Sequence, residues 1–128
     1  IQFYYWTDPV LGNELARVQN DDVTKLVTGN PARIAAMGTL PMQDAAASVT
    51  EMRRAVKELD IRAFILSTNI DGVELSDERF DPIYAEAVAL DVPLFRIRLV
   101  SRMARGCARS SCTIASASPS RNRLRSPI

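Results

Sequence analysis

The sequence has 128 residues, 47% hydrophobic and 24% charged, with 16 basic and 15 acidic side chains, two Cys and no His. That bounds it to one ordinary domain or part of a larger one, and the balance excludes disordered, collagen-like and disulfide-dense classes. No run of about eighteen apolar residues offers a membrane-spanning helix, and without His no Ser–His or Cys–His nucleophile can form within the chain.

The start, IQFYYWTDPV, shows no secretory pattern. It lacks an initiator Met and reads as a fragment, with the cytoplasm as the expected compartment. Asp8-Pro9 then predicts a helix start, Asp capping free N–H groups and Pro fitting the first turn. Leu11, Leu15 and Val18, continued by Val23, Leu26 and Val27, give the expected apolar stripe. Gly12 within it costs about 1 kcal/mol of helix propensity. Gly29-Asn30-Pro31 ends the helix.

Ile34 to Leu40 is a short apolar run between prolines, as in a strand buried on both faces. Asp44 can cap the next helix, where Val49, Met52, Val56 and Leu59 make one apolar face. Glu51–Arg54 and Arg54–Glu58 are small helical charge pairs. Arg62 to Thr68 reads as a second strand and Asp71-Gly72 as a turn. Asp81-Pro82 repeats the capped start, with Ile83, Tyr84, Ala87 and Val88 as buried face, and Val92 to Phe95 opens a third strand.

The order α-β-α-β-α-β predicts parallel strands joined by helical crossovers. Either a (β/α)8 barrel or an open doubly wound sheet fits. Ala35, Ala36 and Gly38 lean toward the tight interior of a barrel. Three such units are less than half of one, since a whole barrel needs roughly 250 residues.

Charge divides the chain. All 15 acids lie at or before Asp91, and residues 1–95 hold eight basic residues, net −7. Residues 96–128 hold eight Arg, no Lys and no acid, net +8, together with both Cys. A change this abrupt marks a boundary at 95/96. The second segment is expected to be a solvated, disordered Arg- and Ser-rich tail. Its composition matches GC-rich coding DNA read in a shifted frame. A nucleic-acid-binding arm is the rival reading, but no aromatics interleave for base stacking, so nucleic acid is not the expected partner. Cys107 and Cys112 make half a zinc site at most.

Chemistry in either architecture sits at the carboxyl ends of the strands. The candidates there are Gln43 and Asn69, able to hydrogen-bond a ligand at the mouth; the commoner use of such side chains is to satisfy loop backbone. Asp71, Glu74, Asp77, Glu78 and Asp81 read as a solvated loop. Asn20-Asp21-Asp22 lacks the further oxygen ligands and Gly of a calcium loop and reads as a polar helix face. Tyr4-Tyr5-Trp6 can line a pocket, stack a ring or pack at the core edge.

The motifs NDD, NPARI leading into GTLPMQD, EMRRAVKEL, TNIDGVEL and FDPIYAEA leading to VPLF occur in one order over about three quarters of the chain. In this the sequence resembles the amidohydrolase-related decarboxylase family. The resemblance implies a (β/α)8 barrel with one divalent metal, usually zinc, at the strand mouths, and cleavage of C–CO2 bonds in unsaturated or aromatic acids, some members being hydrolases. Its partners would be a small carboxylic acid and, for the full-length parent, a second copy as homodimer. The family's metal ligands are an H-x-H before Ile1, a His in x-H-P after VPLF, and a later Asp, with a His base. None maps onto a residue present, and Phe95 is followed by Arg96-Ile97-Arg98. No metal ligand, catalytic residue or cofactor is therefore expected in this chain, and it is expected to be inactive alone.

Overall fold

The computed structural model describes residues 3–98. The tail expected from residue 96 lies outside them, apart from its first three residues. Asp8 opens helix α1, Pro9–Gly29, its Oδ1 accepting from the Val10 and Leu11 amides at 3.1 Å each. The chain leaves at Asn30, as the Gly-Asn-Pro signal predicts. The buried face differs from the expected stripe. Gly12, Ala16 and Asn20 are buried, four residues apart, while Leu11, Val18 and Leu26 face outward. Small residues win because α1 lies close against the loop that follows the first strand. A Cβ on Gly12 would stand 2.2 Å from Gln43 Nε2.

Strand β1 is only Met37–Gly38, shorter than the apolar run Ile34–Leu40 suggested. It has a strand neighbour on one side only. Beyond it the Thr39 backbone is taken by a side chain: Thr39 N–H donates to Asn20 Oδ1 (2.8 Å), and Asn20 Nδ2 donates to Thr39 C=O (3.0 Å). Gly38 permits this, since a Cβ there would meet Phe64 at 2.8 Å and Asn20 Oδ1 at 3.0 Å. The smallness of Gly38 thus serves the packing of Phe64 in the helix-side core.

Helix α2, Ala45–Leu59, is capped by Asp44 as expected. Its most buried residues are Ser48, Glu51, Met52 and Ala55, with Val49, Val56 and Leu59 packed at the core margin. Strand β2, Ala63–Ser67, follows. Then comes a tight hairpin, β3 Asn69–Ile70 and β4 Val73–Glu74, turning at Asp71-Gly72 with φ of 50° and 82°. A 3-10 turn, Glu78–Phe80, capped by Asp77, runs directly into helix α3, Asp81–Ala89. Asp81 therefore sits within the first turn and does not cap it; the preceding 3-10 turn supplies the entry. Ile83 and Ala87 are buried, Tyr84 is partly buried with its hydroxyl donating to Leu75 C=O, and Val88 is exposed, contrary to the expected face. Strand β5, Leu94–Ile97, is the last described element.

The sheet runs β1-β2-β5, all parallel, with Met37 opposite Ala63 and residues 64–67 opposite 94–97. Helix α2 packs on both α1 and α3, so the helices form one layer on one face. Phe64 and Leu66 point into that layer against Met52, Ala55, Phe80, Ile83 and Ala87. Each fully buried side chain of this size contributes about 1.5–3 kcal/mol. A doubly wound sheet puts helices on both faces. Sequential strands with helices on one side form an arc of the barrel type. The other face carries Ala63, Ile65 and Ser67 of β2 and, in register with the latter two, the exposed Phe95 and Ile97 of β5.

Charge ties the helix layer together. Arg53 grips Glu86 through two bonds of 2.7 and 2.6 Å, joining α2 to α3 and holding the Glu86 carboxyl below its ordinary range. Glu51 is 2% exposed. Its oxygens accept from Asn20 Nδ2, Arg54 Nε and Arg54 Nη2, each at 2.8 Å, and Arg54 Nη1 reaches Asp21 at 2.8 Å. Arg54 therefore spans to α1, where the sequence suggested a pair with Glu58. Asn20 is part of the interior, not of a polar helix face.

Two stability measurements test this packing. Asn20→Ala should lower the unfolding free energy in urea by about 2–4 kcal/mol at unchanged slope, because Thr39 N–H and C=O and one Glu51 bond lose their partner in a dry site. Gly12→Ala should destabilise by about 1 kcal/mol or more through overpacking. In a Gln43→Ala background, where the obstruction is gone, the same change should stabilise by up to about 1 kcal/mol, the ordinary helix-propensity gain.

Candidate functional site

The carboxyl ends of the three parallel strands point to one end of the arc, where the loop 39–44, the loop from Thr68 and the end of β5 meet. Gln43 leaves the first of these loops and turns toward the N-terminal segment. Its Nε2 donates to Tyr4 C=O at 2.8 Å and to the Thr7 hydroxyl at 3.2 Å. It fastens residues 4–7 to the loop, and its amide nitrogen is committed to that task. Its Oε1 is buried without a hydrogen-bond partner.

Asn69 is different. It is exposed at the start of β3, and its side chain makes no hydrogen bond among the described residues. Two cavities meet at Thr68 and Asn69. One, of about 290 Å³, is lined by Phe3, Tyr5, Trp6, Ser67, Thr68, Asn69 and Asp71. The other, of about 510 Å³, is lined by Thr68, Asn69, Glu74, Leu75, Ser76 and Arg96. Of the two mouth residues singled out from the sequence, one is a fastener and one lines open space.

The N-terminal aromatics divide in the same way. Tyr5 is 8% exposed and Trp6 is 77% exposed. The Phe3 and Tyr5 rings lie 5.2 Å apart at 33°. The Tyr5 hydroxyl sits between the Ser67 backbone and the Thr39 side chain, at the ends of β2 and β1. Neither contact closes to a well-formed hydrogen bond. Burial pushes the Tyr5 phenol well above its ordinary range, so it is neutral at any physiological pH. The sequence cluster therefore does both of the things it suggested: Tyr5 packs at the core edge and Trp6 lines a pocket.

The acidic loop supplies local order. Asp77 accepts from the Arg79 amide and guanidinium, both at 3.0 Å, and these hold its carboxyl below the usual range. Asp22 pairs with Lys25 at 2.7 Å, and Asp21 with Arg54. Among the described residues no three His, Cys, Asp or Glu side chains gather where they could hold a metal ion. The donor set present does not fit the ion that the family resemblance implies, and no chemical step is derived through it. No helix among the described residues is long and apolar enough to cross a membrane.

Comparison with known proteins places these features. The sequence model of the amidohydrolase family matches residues 1–107. The chain is 34% identical over 95 residues to a 2-amino-3-carboxymuconate-6-semialdehyde decarboxylase of Dictyostelium discoideum, covering 74% of this chain and 26% of that protein. Among solved structures it superposes with a TM-score of 0.67 and 28% identity on 5-carboxyvanillate decarboxylase from Sphingomonas paucimobilis, covering 70% of this chain and 27% of that one. It superposes with a TM-score of 0.68 and 29% identity on a dihydroxybenzoic acid decarboxylase from Polaromonas sp. JS666 that holds manganese and 2-nitroresorcinol, covering 73% and 30%. These neighbours are (β/α)8 barrels, and the arc described here is part of such a fold. The chain spans about a quarter of the length of the curated relatives it matches. On the match over most of its length, the chain belongs to the amidohydrolase family.

Proposed function

We propose that residues 1–95 are a barrel segment of a metal-dependent carboxy-lyase acting on an unsaturated or aromatic carboxylic acid, of the aminocarboxymuconate-semialdehyde decarboxylase kind. The observation that carries this is the 34% identity over 95 residues to a decarboxylase of that name. The other curated relatives described by activity are decarboxylases as well. Hydrolysis within the same family is the second reading, favoured by the family description alone.

In this proposal the segment supplies scaffold and part of the mouth, and the chain by itself is inactive. Zinc is the proposed ion of the full-length parent, although two relatives' structures hold manganese. The parent works in the cytoplasm as a homodimer on a small carboxylic acid. A scaffold role is supported by Gln43, which is spent on fastening the mouth. Residues 96–128 are proposed to derive from a shifted reading frame, on the ground that acids vanish and Arg takes over at one point.

The nucleotide sequence around codon 95 and its flanks tests the reading. Displacing the frame by one base after the Phe95 codon should restore a His-Pro pair and further barrel sequence, with an H-x-H codon pattern upstream; absence of both in every frame contradicts it. In parallel, equilibrium dialysis of the chain against zinc or manganese should show no stoichiometric tight binding, and no CO2 release from 2,6-dihydroxybenzoate should be detected. Tight one-to-one metal with turnover would overturn the proposed inactivity.

A further inference from the structure

Among the described residues, two buried side-chain oxygens have no hydrogen-bond partner, Tyr5 Oη and Gln43 Oε1. Both residues line one small cavity, between the small-residue face of α1 at Gly12 and Ala16 and the loop that runs from Thr39 to Gln43. Gln43 Oε1 faces the space that glycine leaves, since a Cβ on Gly12 would stand 3.2 Å from it. Turning the amide over does not relieve this oxygen. Gln43 Nε2 donates to Tyr4 C=O at 2.8 Å, and an oxygen in its place would set acceptor against acceptor. Tyr5 is 8% exposed. Its hydroxyl stands near the Ser67 backbone and the Thr39 side chain without closing a well-formed bond to either.

Size and chemistry leave one class of occupant. The cavity measures about 10 Å³, and a single water needs ~10–15 Å³ with at least two polar partners. No Asp, Glu, Lys or Arg lines it, so an ion there would meet no counter-charge. A water has the donors and acceptors that both orphaned oxygens lack: it can donate to Gln43 Oε1 while it accepts from the Tyr5 hydroxyl. Thr39, on the same wall and beside that hydroxyl, offers a third partner. We infer that this cavity is the site of one ordered water that bridges Gln43 Oε1 to Tyr5 Oη. The bridge gives both ends of one amide to the same task. The nitrogen of Gln43 grips Tyr4 and Thr7 directly, and its oxygen holds Tyr5 through the water. Residues 4–7 are thereby fixed across the ends of β1 and β2 from either side. The inference does not depend on the decarboxylase reading.

Magnetic relaxation on the full chain tests this. Nuclear Overhauser effects from water to the Ala16 methyl and the Gly12 Hα protons should carry the sign of a water held longer than about a nanosecond. The methyl of Ala55, which is 0% exposed, should show none. Relaxation dispersion of the water oxygen, which is blind to exchanging hydroxyl protons, should fall by the amplitude of one long-lived water in Ala16→Val, whose added methyl groups fill the cavity. In Tyr5→Phe, which removes one end of the bridge and keeps the ring, the same dispersion should also fall, with circular dichroism unchanged. If Ala16→Val does not fold, the wild-type Overhauser effects and Tyr5→Phe decide the matter. An Ala16 methyl as silent as that of Ala55, or a dispersion undiminished in either folded variant, overturns the inference.

Discussion

The arrangement of this arc depends on one buried amide. Asn20, 1% exposed on α1, donates to and accepts from the backbone of Thr39 just past β1, and donates as well to Glu51 on α2. In a sheet, one residue's N–H and C=O point the same way and meet the next strand. Here a side chain takes that place. It closes the ladder at a strand only two residues long, and it does so from a helix, so α1, β1 and α2 are fixed to one another at a single point. Arg54 completes the arrangement by neutralising Glu51 and reaching Asp21. A buried carboxylate is tolerable when its oxygens are served in this way.

The mouth inherits its geometry from that point. Thr39 is the first residue of the loop that carries Gln43, and Gln43 in turn holds residues 4–7 in place. Gly12 of α1 and Gly38 of β1 are the two described glycines where a methyl group would intrude, the first on Gln43 and the second on Phe64 and Asn20. Tyr5 then lies across the ends of β1 and β2, and Trp6 is left at the rim. Polar side chains set positions here that hydrophobic contact alone would leave loose.

Much of the fold was legible in the sequence because capping and turn chemistry are local. Asp8-Pro9, Gly29-Asn30-Pro31, Asp44 and Asp71-Gly72 each mark an element boundary found within a residue or so. The α-β alternation gave the parallel order, and the family resemblance chose the barrel. What periodicity misjudged was which side of α1 is buried. Leu11 and Val18 outscore Gly12 and Ala16 in hydrophobicity, yet close approach to a loop selects for small size, and that is set by a partner distant in the chain. Asn20 and Glu51 were missed for the same reason. Each looks like an exposed helix residue until the other, 31 positions away, is placed beside it. At the mouth, Asn69 and Gln43 stand out in the sequence only by their place at strand ends, and it takes the contact of Gln43 with Tyr4 to separate a fastener from a side chain that lines open space.

Hydrogen exchange at the Thr39 amide addresses the central claim directly. Its N–H has the Asn20 side-chain oxygen as acceptor and lies beyond the β1–β2 ladder. If that buried amide holds the arc together, Thr39 exchanges as slowly as Phe64 and Leu66 in the centre of β2, at the rate of global unfolding. Exchange as fast as the surface loop around Ser76 would contradict the account.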